Sequence, residues 1–242
     1  MKIAISQIQP RKGDIKKNIE IHKFWIEAAI SEKADCIFFS ELSLTGYEPK
    51  LSKGLAMVEN DLRLIEFQNL SESNDIAIGL GVPIQSEEGV LISMMIFIPN
   101  GSPEVYSKQT LHSDELPYFI EGSEQLILNL VNKRIAPAIC YESLNSVHAE
   151  HARHLGADIY LASVAKPQEG IEKAYAHYPK IAKTFSMPVL MSNCIGYCDN
   201  FLSVGQSAIW NAQGELLGKL APDKEGLLVF DTDTGDVIKR EL

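Results

Sequence analysis

Short apolar runs alternate along this chain with segments of helical periodicity. The run "KIAISQI" is followed by Ile15, Ile19, Ile26 and Ile30 at helical spacings, and "ADCIFFSE" is the next run. Asp14 stands where a helix N-cap is expected. A strand, helix, strand unit this short predicts two parallel strands joined by a right-handed crossover. The mostly apolar second run predicts a buried strand.

The same alternation continues to the end of the chain. Strands are predicted for "DIAIGLGVPI", "GVLISMMIFIP", "EVYSK", "ADIYLASV", "PVLMSN" and "GLLVFDTD", with hairpins at "QLILNLVNKRIAPAIC" and "SAIWNAQGELLGKL". Helices are predicted for residues 60–73, for "SVHAEHARHLG", and for "GIEKAYAHYPKIAKTFS", where Pro179 is a potential interruption. Many strands with about four long helices predict an α/β domain with two sheets and helices outside them. No linker divides the sequence, so residues 1–242 are expected to form a single domain.

Charge and composition narrow the classes of partner. Acidic residues outnumber basic ones 32 to 22, for a net charge of -10, and the lysines are scattered. This composition argues against a nucleic-acid surface and favours a small-molecule partner. No stretch reaches the roughly 20 apolar residues of a membrane helix, and the first residues lack a signal-type apolar region, so we expect a cytoplasmic protein that does not bind membranes. The four cysteines are expected to be free thiols.

One of these thiols stands at the end of a predicted core strand. In "RIAPAICYESL" the apolar run ends at Cys140, and the segment from Glu142 to Ser146 is expected to begin the next helix. A helix N-terminus favours a thiolate and can bind an oxyanion, so Cys140 is a candidate nucleophile. The alternative is that Cys140 is one more buried core thiol, because free cysteine is among the most buried residue types.

Two charged residues at other strand ends are candidate partners of the thiol. "CIFFSE" carries Glu41 out of an apolar strand, and a carboxylate against an apolar wall is suited to accepting and returning protons. Lys108 ends "EVYSK", where a fixed cation would stabilise oxyanion charge. Each residue has a plainer interpretation, as a charged strand terminus or as a solvated lysine.

Metal binding is not expected. His148, His151 and His154 lie at three-residue spacing on one predicted helix, but such steps rotate around the helix, and a solvated helix face is the better interpretation. Cys194 and Cys198 have no second cysteine pair to complete a zinc site.

Three separated segments together resemble a known family. "FFSELSLTGY", "VYSKQTLHSDELPYFIEG" and "IAPAICYES" are similar, in that order, to the signature blocks of the nitrilase superfamily, the carbon-nitrogen hydrolases, and "LGADIYLASVA" and "GQSAIWNAQGEL" agree as well. The resemblance implies a four-layer α-β-β-α sandwich, pairing into homodimers or higher homo-oligomers, and a mechanism without cofactors. It assigns Glu41 as base, Cys140 as nucleophile, and Lys108 with the Tyr141 backbone N–H as oxyanion donors. Glu115, in "DELPYF", would orient the lysine or the substrate amine.

The resemblance therefore implies an amidohydrolase that cleaves a small amide or carbamoyl compound through a thioester. After the nucleophile, "CYESLNSVHAEH" lacks the arginine and aromatic-proline pair that many members have, so no named substrate is transferred. By proximity to the catalytic segments, candidate substrate contacts are Tyr47, Tyr118, Phe119 and Tyr141, and Asn193, at the end of the strand "PVLMSN", is a further candidate. The alternative function is a redox-sensing or ligand-binding protein on the same fold, without hydrolysis.

Overall fold

The computed structural model describes residues 1–242 and contains fifteen β-strands. The strands are β1 Lys2–Gln7, β2 Cys36–Phe38, β3 Ala77–Gln85, β4 Val90–Phe97, β5 Glu104–Ser107, β6 Leu128–Leu130, β7 Lys133–Ile139, β8 Ile159–Val164, β9 Val189–Asn193, β10 Ile195–Cys198, β11 Phe201–Val204, β12 Ala208–Trp210, β13 Leu216–Lys219, β14 Gly226–Asp231 and β15 Val237–Glu241.

Four long helices and one short helix complete the regular structure. The helices are α1 Ile15–Ser31, α2 Ser52–Leu55, α3 Ile65–Asn74, α4 Ser146–His154 and α5 Gln168–Phe185. Asp14 is the N-cap of α1, and its side chain accepts a hydrogen bond from the Lys17 backbone N–H at 3.0 Å, as the sequence predicts.

The strands form two large sheets. The first has the order β15-β14-β1-β2-β3-β4-β5, the second has the order β13-β12-β9-β8-β7-β6, and β10 and β11 pair separately as a hairpin. As predicted, β1 and β2 are parallel, and the α1 crossover joins them. In the second sheet, β7, β8 and β9 are also parallel. The carboxyl ends of these parallel strands therefore share one edge of each sheet.

Three apolar clusters show how the layers are stacked. The largest lies between the two sheets and includes Ile5, Phe38, Ile139 and Leu161. A second packs α1 and α3 on the outer face of the first sheet, through side chains such as Trp25. A third packs α4 and α5 on the outer face of the second sheet. The layers run helix, sheet, sheet, helix, which confirms the predicted α-β-β-α sandwich.

Buried hydroxyl groups connect the two sheets near the strand ends. Ser163, in β8, donates to the Phe39 carbonyl at 2.8 Å, and Ser192, in β9, donates to the Ser6 carbonyl at 2.6 Å. Phe39 directly follows β2, and two residues later the chain reaches Glu41. The end of β2 is thereby held against β8, the strand next to β7.

The structure differs from the sequence prediction in several places. The hairpin of β10 and β11 and the final strand β15 were not predicted; β15 is a half-exposed edge strand with a polar sequence. The helix predicted at 60–73 begins later, with α3 at Ile65 after a 3₁₀ turn. Pro179 lies inside a continuous α5, which packs on the sheet on both sides of it, through Tyr178 and Ile181.

A further difference concerns the segment after Cys140. Glu142–Leu144 is a 3₁₀ turn, and α4 begins only at Ser146, with Asn145 as its N-cap. The thiol therefore stands at a tight turn rather than at the first turn of an α-helix. Separately, no helix of the chain is both long and apolar enough to cross a bilayer.

Candidate active site

Cys140 occupies a strained turn directly after β7. Its φ angle is 48°, in the left-handed region that non-glycine residues seldom adopt. The Cys140 N–H donates to the Ser163 carbonyl at 3.0 Å, and the Cys140 carbonyl accepts from the Ser143 hydroxyl at 2.5 Å. These bonds hold the backbone in its unfavourable conformation, as in turns of the nucleophile-elbow type.

A buried lysine between two carboxylates forms the charged part of the site. The Lys108 ammonium lies 2.8 Å from Glu41 Oε1 and 2.7 Å from Glu115 Oε1. Glu115 is fixed further by the Tyr47 hydroxyl at 2.9 Å and by the His112 backbone N–H at 2.7 Å. All three charged side chains are inaccessible to solvent or nearly so. Because each partner is fixed, the lysine has a single well-defined position.

Two glycines allow the segments that carry these groups to approach their neighbours. A Cβ at Gly81, in β3, would lie 2.4 Å from the Ser40 carbonyl oxygen, so a side chain there would displace the turn that carries Glu41. The Gly122 N–H donates to the Lys108 carbonyl at 2.7 Å, and a Cβ at Gly122 would lie 2.5 Å from the neighbouring Ser107 carbonyl oxygen. Close backbone packing thus sets the position of both charged side chains.

Burial and charge set the protonation of the site. Burial and the nearby Glu115 charge raise the pKa of Glu41 to about 7, although the charge and hydrogen bond of Lys108 and the nearby Cys140 side chain act to lower it. Burial and the nearby Glu41 raise the pKa of the Cys140 thiol to about 11. Burial acts to lower the pKa of Lys108, but Glu41, Cys140 and Glu115 outweigh it and the pKa is raised. The resting thiol is therefore neutral, beside a carboxyl group that titrates near neutral pH.

One oxygen of the Glu41 carboxylate remains without a partner. Glu41 Oε1 accepts from Lys108, whereas the buried Oε2 has no hydrogen-bond partner. The Cys140 thiol is near enough to Glu41 to lower its pKa through a side-chain interaction. Oε2 is consequently free to accept the thiol proton.

A second buried lysine lies beside the thiol. Lys166 follows β8, is only 4% exposed, and places its ammonium 3.7 Å from the Cys140 sulfur. The Lys166 backbone is fixed by Asn193, whose Oδ1 accepts from the Lys166 N–H at 2.9 Å, and by Ser203, whose hydroxyl donates to the Lys166 carbonyl at 3.2 Å. The sulfur itself contacts the Ala165 carbonyl at 3.7 Å.

An open cavity of about 370 Å³ leads to the thiol. Cys140, Lys108 and Glu115 lie on its wall together with aromatic side chains, among them Tyr47 and Tyr141. This volume suits a small molecule. The thiol is the one cysteine side chain that is not fully buried, since the other three are. A small substrate can therefore reach it.

The matching family model is that of the carbon-nitrogen hydrolases, and it covers residues 2–240. The chain belongs to this family. It is a hydrolase that acts on carbon-nitrogen bonds, as the three sequence motifs predict.

Curated relatives of this hydrolase are larger proteins. It is 28% identical to the glutamine-dependent NAD(+) synthetase of Acinetobacter baylyi, over 96% of this chain and 44% of that protein. The enzyme of the same name from Thermotoga maritima is 25% identical, over 100% of this chain and 44% of that protein. The hydrolase thus spans less than half the length of these relatives.

Solved structures match the hydrolase along nearly its whole length. The NitN amidase from Nesterenkonia sp. AN1 superposes with a TM-score of 0.88 at 21% identity, over 98% of this chain and 94% of that one. A mutant of that amidase in complex with butyramide gives a TM-score of 0.86 at 20% identity, over 95% of this chain and 89% of that one. At this identity the likeness establishes the nitrilase-type fold.

The predicted substrate contacts divide into two groups. Tyr47 and Tyr141 line the cavity, and the Tyr141 backbone N–H makes no hydrogen bond within the protein. Tyr118 and Phe119 are absent from the cavity wall; Phe119 is buried in the core between the sheets. Asn193 is fully buried and does not line the cavity. It accepts a hydrogen bond from the Lys166 backbone N–H, so it contacts a cavity residue rather than the cavity itself.

Of the three histidines considered as metal ligands, His151 and His154 are exposed, as predicted for a solvated helix face, and His148 differs. His148 is buried rather than solvated, and its ring nitrogens contact the hydroxyls of Tyr106 at 2.9 Å and Tyr160 at 2.8 Å. Burial lowers the pKa of His148 to about 4, so the ring is neutral. No three His, Cys, Asp or Glu side chains are grouped as a metal site would require. Cys194 and Cys198 are both buried, with their sulfurs 3.6 Å apart.

Sequence reasoning missed two residues at the site. Lys166 could have been found in "LASVAKP", because a lysine shortly after a buried parallel strand lies near the sheet edge where ligands bind. Glu142 was treated only as a helix start. Its buried carboxylate instead accepts backbone N–H groups from Ile139 at 2.7 Å and Gln109 at 2.7 Å, and so connects the segments of the thiol and of Lys108.

Proposed function

We propose that this hydrolase cleaves a small amide or carbamoyl compound through a thioester on Cys140. The observation that carries the proposal is the arrangement at the thiol: an accessible sulfur beside a carboxylate with a free oxygen and beside two lysine ammonium groups. This arrangement supplies a nucleophile, a base and fixed positive charge in one cavity.

In the first half of the reaction, the Cys140 thiol gives its proton to Glu41 Oε2 as the sulfur attacks the amide carbon. The carbonyl π electrons move to oxygen, and the resulting oxyanion is stabilised by Lys108 and by the unpaired Tyr141 backbone N–H. Protonated Glu41 then gives its proton to the leaving nitrogen. The carbon-nitrogen bond breaks, and ammonia or an amine departs from a thioester.

In the second half, Glu41 accepts a proton from water as the water oxygen attacks the thioester carbon. The carbon-sulfur bond breaks, the carboxylic acid leaves, and the proton returns to the sulfur. Glu115, held by Lys108 and Tyr47, orients the lysine through both half-reactions. Every proton and bond is accounted for by residues of this chain and one water molecule, with no cofactor required.

Within this class, we infer that the substrate is a primary carboxamide. The relatives named above are glutamine-dependent, and glutamine carries a primary carboxamide. The amidase from Nesterenkonia sp. AN1 has been captured with butyramide and, in another mutant, with acrylamide added to its active-site cysteine. These compounds share an unsubstituted CONH₂ group on a small acyl chain. Nitriles lack it and are the weaker candidates.

Homodimer formation and a cytoplasmic location stay predictions. Exposed apolar side chains near the cavity support the pairing of two copies of the chain. Tyr141 is 46% exposed, and Leu116, the residue after the buried Glu115, is 59% exposed. The mass of the purified protein, measured by light scattering, tests the dimer.

The test of function is ammonia release from a panel of primary amides that includes glutamine and butyramide, with ureido acids and nitriles as further groups. We expect hydrolysis of at least one amide by the native protein and none by Cys140→Ala. A reactive ester should also leave an acyl group on Cys140, detectable by mass spectrometry of the digested protein.

Two results would reject the proposal. One is undiminished hydrolysis by Cys140→Ala, and the other is acylation of a different residue. Peroxide-dependent oxidation of Cys140 without hydrolysis of any member of the panel would favour the redox-sensing alternative.

A further inference from the structure

Lys166 differs from Lys108 in how its charge is balanced. Both ammonium groups are buried, and Lys108 has two carboxylate oxygens within 2.8 Å. Lys166 forms no ion pair with any carboxylate, and the one hydrogen bond of its ammonium is to the Cys140 sulfur at 3.7 Å. An uncompensated buried cation is costly, so a fold that keeps one in place leaves it available for negative charge that arises during function.

The position of Lys166 is built into the fold. Its backbone N–H and carbonyl are both held by hydrogen bonds, to Asn193 Oδ1 at 2.9 Å and from the Ser203 hydroxyl at 3.2 Å. Asn193 is fixed in turn, because its side-chain amide donates to the Gly205 carbonyl at 2.7 Å. These interactions fix the backbone of Lys166, from which the long side chain extends to the thiol. They also give Asn193 a positioning role.

We propose that Lys166 is a further catalytic residue, whose ammonium stabilises the negative charge on the Cys140 sulfur when the thiol loses its proton. The proposal rests on the proposed thiol mechanism and adds a cation to it. The sulfur is the one hydrogen-bond partner of the Lys166 ammonium, at 3.7 Å, which makes it the first candidate for the negative charge that Lys166 stabilises.

The balance of charge at the sulfur agrees with this role. Burial and Glu41 raise the pKa of Cys140, whereas Lys166 and Lys108 act to lower it, with Lys166 the larger of the two. The proton passes from the thiol to Glu41 Oε2, and the electron pair left on sulfur forms the bond to the amide carbon. Lys166 keeps its own proton throughout. The ring of His177 is the other titratable group whose pKa Lys166 lowers, after burial and Lys180.

The test measures alkylation of Cys140 in the intact protein, which requires no turnover of any amide. Iodoacetamide is the neutral probe and iodoacetate the anionic one, and the modified peptide is identified by mass spectrometry. We expect Lys166→Met to slow alkylation by iodoacetamide at neutral pH by about tenfold, since one pKa unit changes the thiolate population tenfold. Lys166→Arg, which keeps the charge, should stay within about threefold of the native rate.

Lys183→Met is the matched control. Lys183 is an exposed lysine near the end of α5, and its replacement changes the net charge equally without touching the site. This variant should alkylate at the native rate. If Lys166→Met does not fold by circular dichroism, Lys166→Gln provides the same loss of charge with a polar side chain.

Three outcomes are decisive. Slower reaction of the charge-removing variant with both probes supports the proposal. An unchanged rate with iodoacetamide, together with a slower rate with iodoacetate, overturns it and identifies Lys166 as a binding residue for anionic ligands. Unchanged rates with both probes also overturn it. A native protein that alkylates in a Lys166-dependent manner but hydrolyses no amide would reject the proposed function while leaving the role of Lys166 at the sulfur intact.

Discussion

Two buried glutamates in this hydrolase stand in nearly the same sequence context and have different surroundings. Glu41 follows "CIFFS" and Glu142 follows "APAICY", and both are at most 2% exposed. Glu142 accepts four hydrogen bonds, at 2.6–3.2 Å, from Tyr106, Ile139, Gln109 and Thr110. Glu41 accepts one from Lys108 and keeps its Oε2 without a partner.

Their pKa values do not separate the two roles. Burial raises the pKa of both carboxyl groups, so a perturbed pKa alone would nominate either as the base. Hydrogen bonding separates them, because an oxygen that already accepts two bonds has little capacity for a further proton. We therefore interpret Glu142 as a structural anchor and Glu41 as the base. On the proposed mechanism, the base is the carboxylate that keeps an oxygen without a hydrogen-bond partner.

The largest expected difference between them is in catalysis. Glu41→Gln removes the base but keeps the side-chain shape and an oxygen for Lys108, so kcat/KM for an amide substrate should fall by about 10³. Steady-state ammonia release measures this, and thermal unfolding of the same preparation checks that the variant is folded. A Glu41→Gln enzyme that retains a tenth or more of native activity would remove Glu41 from the proposed role.

Replacing Glu142 should affect stability more than catalysis. Glu142→Ala leaves the N–H groups of Ile139 and Gln109 unpaired in the interior, and we expect the free energy of unfolding to fall by about 3 kcal/mol. Urea denaturation followed by circular dichroism measures the loss. Activity per folded molecule should fall less than for Glu41→Gln, because no proton is transferred through this carboxylate.

The distinction between the two glutamates is wrong if their variants show the reverse effects on activity and on stability. A Glu142→Ala protein of native stability without activity would place Glu142 in the chemistry. Glu142→Gln, which retains one carbonyl oxygen for the backbone donors, is the conservative control and should show a smaller loss of stability than Glu142→Ala.

Much of the fold and of the candidate site is predictable because apolar runs mark strands and charged residues end them. Glu41, Lys108 and Cys140 each stand at such an end, and the two-sheet architecture follows from the number of strands. The edge strand β15 was missed because its exposed, polar sequence carries little apolar signal. The 3₁₀ turn after Cys140 was missed because propensity does not distinguish it from the first turn of a helix.

Residues that act through tertiary contacts were harder to place. Asn193 was chosen for its proximity to a strand end, but its distance from the cavity depends on how β9 and the hairpin of β10 and β11 pack. Lys166 was overlooked because the sequence does not show that the end of β8 lies beside the end of β7. Only the parallel pairing of β7 with β8 brings Lys166 beside Cys140. Sequence periodicity determines that a strand is buried, but not which strand lies next to it.

The pH dependence of kcat/KM tests which of the two carboxylates acts as the base. Burial raises the pKa of Glu41 to about 7, and only its ionised form accepts the thiol proton. As pH falls through 7, Glu41 becomes protonated, so kcat/KM should decrease with a slope approaching tenfold per pH unit below the midpoint. A neutral amide substrate adds no titration of its own. Initial rates at low substrate concentration measure the profile.

Glu142→Gln distinguishes the two groups in the same experiment. If Glu41 produces the acid limb, the limb keeps its midpoint near 7 in Glu142→Gln, although the variant is less stable. Disappearance of the limb in that variant would assign it to Glu142. A native midpoint near 4.5, the ordinary value for glutamate, would mean that solvent or Lys108 offsets the burial of Glu41 during turnover. Glu41 would then be fully ionised at neutral pH, and the barrier would lie in the acidity of the Cys140 thiol, where the contribution of Lys166 would be correspondingly larger.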